Sequence, residues 1–284
     1  MSDDPIDPRT AIAFQGTFGA FSHLACRESA TDFNPLPCEN FEVAFDAVKS
    51  GQAARGMIAI ENTLAGRVAD VHHLMPRSNL YIVGEHFQKV HMHLLSPPGT
   101  KLGEIKEVHS HVHALAQCRD YLKKHNIRPV VHVDTAGACE MVAEMADPSV
   151  AAIGSILACE IYGLDVISDE VADHNNNFTR FVVLSRERIV PHPDDGDAIT
   201  SFMFEVRSVP AALYKALGGF ATNGINITKL ESYIEPGSFS QAQFYADIEG
   251  HPENRGVQFA MEELRFFSKR LEILGTYPKS HLRF

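Results

Sequence analysis

From Thr10 to Glu187, short apolar runs alternate with stretches of helical periodicity, and this alternation constrains the fold more than any other feature of the chain. The runs at 10–16 (TAIAFQG), 55–62 (RGMIAIEN), 79–86, 90–96, 107–111, 129–133, 150–155 and 181–187 read as strands, and 22–29, 41–50, 113–125, 135–145 and 156–162 read as helices. Strands separated by helices need crossover connections, so an α/β fold with parallel strands is expected for residues 10–190.

The pattern changes after IVPHPDDGD (189–197), whose two Pro, one Gly and three Asp mark a linker. Beyond it, a strand at 199–206, a helix at 209–224, strands at 225–235 and 239–250, a helix at 254–269 and a strand at 271–278 follow in turn. That order, βαββαβ, is an α+β ferredoxin-like plan and sets a second domain at 198–284. The plan hosts many functions and assigns none.

At 284 residues the chain can bury two cores. Its net charge of −11 excludes the broad basic footprint that nucleic acid requires, so no nucleic-acid partner is expected and an anionic ligand must be held locally. Helix N-termini or one or two arginines suffice for that. No apolar run approaches the roughly 18 residues that span a bilayer, so no membrane partner is expected. The opening MSDDPIDPRT is acidic where a secretion signal is basic and then apolar. Five cysteines without C-x-x-C spacing fit reduced thiols, and the expected location is cytoplasmic. Cys26, Cys118, Cys139 and Cys159 lie among Ala and Leu in helical stretches and read as packed thiols.

Four segments carry candidate chemistry. GTFGAFSH (16–23) is a Gly-rich turn into a helix, where N–H groups can hold an anion or Ser22 can simply cap. IENTLAGRV (60–68) closes a strand at the edge where open α/β sheets bind ligands, and Asn62 offers both donor and acceptor, either to a substrate or to an Asx-turn. VHSHVHALAQC (108–118) sets Ser110 and Gln117 seven residues apart, close to two helical turns. NNNFTRFVVL (175–184) puts Thr179 beside Arg180, a hydroxyl and a guanidinium suited to polarising a departing hydroxide near a carboxylate.

In this order the segments resemble the prephenate dehydratase family, whose pattern F-Q-G-x-x-G-A-[YF]-S, E-N-[ST]-x-x-G, S-H-P-x-A-L-x-Q-C and T-R-F stands here as FQGTFGAFS, ENTLAG, SHVHALAQC and TRF. Val112 replaces the family's Pro. The resemblance implies conversion of prephenate to phenylpyruvate with loss of water and carbon dioxide and no cofactor, because ring aromatisation drives the elimination. It implies catalytic roles for Thr179, Asn62, Ser110 and Gln117, with Thr179 the donor at the departing hydroxyl. It implies substrate contacts from Gly19, Ala20, Ser22, Thr63, Asp134, Arg180 and Phe181. For Asp134 a helix N-cap is the competing role, and Arg180 either meets a carboxylate or holds the loop.

The implied fold is a two-lobed, periplasmic-binding-protein-like catalytic domain with the substrate between lobe one (10–87 and 170–190) and lobe two (88–169). The C-terminal segment resembles an ACT domain, a family domain that binds phenylalanine at a dimer interface. Its G-A-L motif stands here as Ala211-Ala212-Leu213 and its E-S-R-P motif as Glu231-Ser232-Tyr233-Ile234, with Asn223, Gly224 and Asn226 at the corner framing the ligand. L-phenylalanine as allosteric effector and a homodimer or homotetramer through ACT domains follow from this resemblance. Competing readings are an arogenate dehydratase and a non-catalytic two-lobed small-molecule binding protein. The fifteen histidines include HMH (91–93), HSHVH (109–113) and HH (72–73); His-x-His puts two imidazoles on one strand face, yet the sequence offers no matching carboxylate, so no metal is expected.

Overall fold

The computed structural model describes residues 6–234 and 242–283. The last residue of the expected strand 225–235 and positions 239–241 of the expected strand 239–250 lie outside the described residues.

The chain opens with β1 (Ala11–Gln15), buried through its first four residues, then α1 (Phe21–Ser29), β2 (Asn34–Cys38), α2 (Phe41–Ser50), β3 (Arg55–Asn62) and the two-residue β4 (Gly66–Arg67). Next come α3 (Ala69–Ser78) and β5 (Tyr81–Lys89). A second sheet is built from β6 (His93–Ser96), β7 (Glu107–Ser110), α4 (Val112–Gln117), α5 (Arg119–His125), β8 (Arg128–Val131), α6 (Thr135–Met145), β9 (Val150–Gly154), α7 (Ile156–Tyr162) and β10 (Asp165–Ser168). The chain then returns to the first sheet as β11 (Phe178–Ser185).

The first sheet has the order β2-β1-β3-β11-β5 with β4 on β3, and the second β10-β6-β9-β7-β8. β1 runs parallel to both its neighbours, as does β7, which is the crossover geometry the alternating pattern requires. Helix boundaries follow from local chemistry. Asn40 accepts from Val43 N–H at the start of α2, which stops at Gly51 with φ 86°; Ser155 accepts from Ala158 N–H at the start of α7, which stops at Gly163 with φ 66°.

Five details depart from the sequence reading. β2 is Asn-Pro-Leu-Pro-Cys, in which two residues lack an N–H; it is tolerated because it stands at the end of its sheet. α3 carries Pro76 inside it, which hid its helical pattern, and the short β10 has no apolar run. The single helix expected over 113–125 is two helices meeting at Cys118. β11 begins at Phe178, three residues earlier than the apolar run, which brings Thr179 into the ladder.

The C-terminal part consists of β12 (Ala198–Val206), α8 (Ala212–Thr222), β13 (Ile227–Ile234), β14 (Ala242–Glu249), α9 (Arg255–Phe267) and β15 (Ser268–Pro278), an antiparallel sheet in the order β13-β14-β12-β15. Phe202, Phe204, Phe220 and Phe244 stack at centroid distances of 5.1–5.9 Å in its core. By packing, the chain forms two compact units, residues up to Val68 with Phe87–Phe181, and Ala69–His86 with Val182 onward. The second therefore takes in α3 and most of β5 as well as the βαββαβ segment. Two features bind these residues. Glu85, its side chain fully buried, receives Arg283 at 2.9 Å, and a Cβ on Gly275 would overlap the Ile82 carbonyl, so only glycine lets β15 approach β5 there.

Candidate active site

In the first unit a cleft of about 350 Å³ opens between elements of the two sheets. Strand alternation decides which side chains reach it. Thr179 and Phe181 of β11, with Asn177 just before the strand, line the cleft, while Arg180 points away and is 3% exposed. Asn62 at the end of β3 also lines the cleft, and its neighbour Glu61 accepts from Arg180 at 2.9 Å outside it. One polar pair, Asn62 with Thr179, thus faces the cleft, and one charged pair sits behind it.

The polarity of the facing groups is fixed by the backbone. Leu64 and Ala65 N–H both donate to Asn62 Oδ1, at 2.9 and 2.8 Å, so Nδ2 is the donor on the other side. It donates to Thr179 Oγ1 at 3.0 Å and to Asn177 Oδ1 at 2.7 Å. With Oδ1 an acceptor, Asn177 donates through Nδ2 to Gln117 Oε1 at 2.7 Å. Two consequences follow. The Thr179 oxygen already accepts, so its own proton is available to donate, and Gln117 presents its NH₂ as a donor. The chain of amides delivers a hydroxyl donor and an amide donor into one cleft.

No Lys or Arg is among the described residues that line this cleft. Favourable potential for an anion comes instead from α1, whose first residues Ala20, Phe21 and Ser22 lie at the wall and whose N-cap, Ala20, supplies no side-chain acceptor. A helix N-terminus without a side-chain cap presents N–H groups and a dipole that favours negative charge. By contrast, α6 is capped by Asp134, which accepts from Gly137 N–H at 2.7 Å. His111 and His113 add two imidazoles to the opposite wall.

The loop leading into α1 is held from the second sheet's side. Ser155 donates to the Gly19 carbonyl at 2.6 Å and Tyr162 to the Phe18 carbonyl at 2.8 Å. Gly19 has φ +90° and a Cβ there would meet the Ala158 backbone at 2.9 Å, so both conformation and space demand glycine. Its N–H donates to His23 Nδ1 at 3.0 Å, with the buried His23 ring stacked on Phe14. Burial, helped by Arg27, pushes the His23 pKa down to about 4 from 6.5. The folded state therefore resists a proton that the unfolded chain accepts: there is no cost above pH 7, and stability is lost as pH falls from 6.5 towards 4. At pH 5 the loss is about 2 kcal/mol from this residue. Urea unfolding at pH 7.5 and 5.0 checks it, because His23→Gln, which keeps an acceptor but has no proton to gain, is expected to show a clearly shallower fall than the wild type.

The other expected residues distribute as follows. Gln117, Ala20, Ser22, Asp134 and Phe181 line the cleft with Asn62 and Thr179. Ser22 donates to the Gln15 carbonyl at 2.6 Å. Ser110 does not reach the cleft: it is fully buried and donates to the Ile153 carbonyl at 2.7 Å, tying β7 to β9. Thr63 also stands outside the wall, where its hydroxyl donates to Asn176 O and accepts from Phe178 N–H, both at 2.9 Å, clamping the entry to β11. Arg180 meets Glu61 rather than the cleft, by the alternation described above. Asn177, the link between Asn62 and Gln117, was not singled out from the sequence; its signal is the i, i+2 spacing with Thr179, visible only once β11 is known to begin at Phe178. Thiol chemistry is disfavoured, since burial pushes Cys26 and Cys118 up to about 12.

In the second unit, Ala211 (φ +58°), Ala212 and Leu213 stand at the start of α8, and Asn223 and Gly224 stand at its end. An 11-residue helix separates the two groups by about 16 Å, so one small ligand on one chain touches only one of them. Asn226 donates to Glu249 at 3.0 Å, and Glu231 accepts from Lys229 at 3.3 Å on β13, with Ser232 next to it.

Residues 12–189 match the prephenate dehydratase family model. A bifunctional N-acyl-homoserine lactone acylase/prephenate dehydratase of Komagataeibacter europaeus is 47% identical over 272 residues, covering 96% of this chain and 97% of that protein. The chloroplastic arogenate dehydratase/prephenate dehydratase 1 of Arabidopsis thaliana is 35% identical over 296 residues, covering 99% of this chain and 75% of the relative. The crystal structure of prephenate dehydratase from Arthrobacter aurescens in complex with L-Phe superimposes with a TM-score of 0.86 at 29% identity, covering 95% of this chain and 90% of that one. The cleft, the matched residues and these relatives agree: the chain belongs to the prephenate dehydratase family and is an enzyme of that kind.

Proposed function

We propose that prephenate is dehydrated and decarboxylated in the cleft described above, with Thr179 as the donor to the departing ring hydroxyl. The observation that carries this reading is the fixed polarity of the Asn62 amide, which makes Thr179 Oγ1 an acceptor and directs its proton elsewhere. The C–C bond to carbon dioxide breaks and returns its electron pair to the ring as the C–O bond to the opposite hydroxyl breaks, and the departing hydroxide takes up one proton from solvent to leave as water. A threonine hydroxyl is a weak acid, so its role is a hydrogen bond strengthened by Asn62 rather than complete proton transfer. Gln117 and the open start of α1 are suited to the substrate's polar and carboxylate groups, and Ser22, Ala20 and Phe181 to its shape. Ser110 and Thr63 act as anchors of β7 and β11, and Asp134 as the cap of α6.

The C-terminal βαββαβ segment is read as an ACT domain that binds L-phenylalanine as a feedback effector. Its Ala211–Leu213 and Asn223–Asn226 groups lie at opposite ends of α8 and could serve one ligand only across two copies, which supports a homodimer or larger assembly formed through these domains. The Arthrobacter aurescens relative was crystallised with L-Phe. A second reading is favoured by the 47% identical relative, named also as an N-acyl-homoserine lactone acylase: the apolar wall of Phe21, Phe41, Met57, Val90 and Met92 could accept an acyl chain.

Purified protein is expected to form phenylpyruvate from prephenate faster than it forms phenylalanine from arogenate, with the rate lowered by added L-phenylalanine. Preference for arogenate would reverse the substrate assignment, and a rate and assembly size indifferent to L-phenylalanine would remove the effector assignment. Release of free fatty acid from an N-acyl-homoserine lactone would establish the second reading.

A further inference from the structure

The carboxylate missing from the His-x-His run in the sequence is present in the fold. The chain passes between the two sheets of the first unit at two places, from β5 into β6 and from β10 into β11. His91 and His93 lie on the first passage and Asp169 on the second, 76 residues after His93 in the sequence. Alternation separates them from the active site: Val90 and Met92 line the cleft, whereas His91 and His93 do not. The two passages are held together by the Val171 N–H to Met92 carbonyl bond of 2.9 Å.

The geometry of the three side chains is that of groups converging on a shared point. Asp169 Oδ1 lies 2.9 Å from His93 Nδ1 and 3.2 Å from His91 Nε2, and the two rings stack at 4.5 Å. Both nitrogens are shielded from solvent and lie against the Asp169 carboxylate. His93 is the telling member, since its side chain is only 9% exposed and its buried Nδ1 is held against a carboxylate from a distant part of the chain. All three candidate ligand atoms fall within 4.8 Å of one another. Ligand atoms about 2.0–2.1 Å from a tetrahedral metal stand roughly 3.3 Å apart, close to the two separations observed.

We propose that His91, His93 and Asp169 form a binding site for a divalent transition-metal ion of the zinc class, outside the catalytic cleft. Two imidazoles and one carboxylate are a borderline donor set that suits zinc over magnesium or calcium, which favour all-oxygen shells. Three protein ligands leave a fourth position for water. Because the ligands come from both passages, the ion would tie together the two strands of chain that join the lobes, and its role would be to restrain their relative motion.

The test uses the untagged full chain, stripped with a chelator and titrated with zinc chloride alone by calorimetry. One zinc per chain with a Kd on the order of 1 μM or tighter is expected, and His91→Ala and Asp169→Asn, both at partly exposed positions, are each expected to weaken it at least about tenfold. Cobalt(II) in place of zinc should give the strong visible bands of a four-coordinate site in the wild type and lose them in the variants. Circular dichroism checks that each variant is folded, and either one alone decides the matter if the other is not. Absence of stoichiometric binding would overturn the proposal, as would zinc held equally well by the folded variants.

Discussion

Replacing Thr179 by valine is expected to lower kcat for prephenate by roughly 10²–10⁴-fold, the range typical of losing one positioned proton or hydrogen-bond donor, while KM stays within a few-fold. Valine keeps the shape and the β-branch that suit a strand, so β11 is undisturbed. The Asn62 amide retains its two backbone N–H donors and its bond to Asn177, so the local network survives the loss of one member. The melting temperature should therefore move little. Thr179→Ser, which restores a hydroxyl on the same side, is expected to recover most of the rate. A valine variant with nearly full kcat would remove Thr179 from the chemistry.

The adjacent residue should behave in the opposite way. Arg180→Met is expected to cost roughly 3 kcal/mol of stability, because it removes a buried guanidinium that pairs with Glu61. For a domain of this size that is a fall of about 6–12 °C in melting temperature. Activity per folded molecule should fall by less than about tenfold, since Arg180 does not line the cleft. Two consecutive residues thus separate rate from stability, which is the functional meaning of strand alternation.

The same alternation explains what could be read from the sequence and what could not. Apolar runs such as Ala11–Gln15 and Arg55–Asn62 announce strands because four residues of each are buried. The βαββαβ order after residue 197 was legible for a related reason: each element buries one face against a single core, so each shows its own period. β2 was not legible, because its two prolines argue against a strand unless its edge position is known. Within the site, Asn62, Gln117 and Thr179 could be picked out by their segments. Ser110 and Arg180 could be picked out too, but residue type does not tell which face a strand residue occupies, and both turned away from the cleft. Asn177 was hidden among three consecutive asparagines that only the register of β11 distinguishes. Asp169 could not have been paired with His91 and His93 without the fold, since the contact is between two distant passages of the chain.

The central claim is that the reaction takes place where the Asn62 amide orients Thr179. The most direct measurement is a crystal structure of the Thr179→Val variant soaked with prephenate, which this variant should turn over too slowly to consume. The account predicts density for the intact substrate in the cleft, its ring hydroxyl beside residue 179 and Asn62, and a carboxylate at the first turn of α1. Substrate bound elsewhere on the chain, or lying in the cleft with its hydroxyl directed away from residue 179, would contradict it.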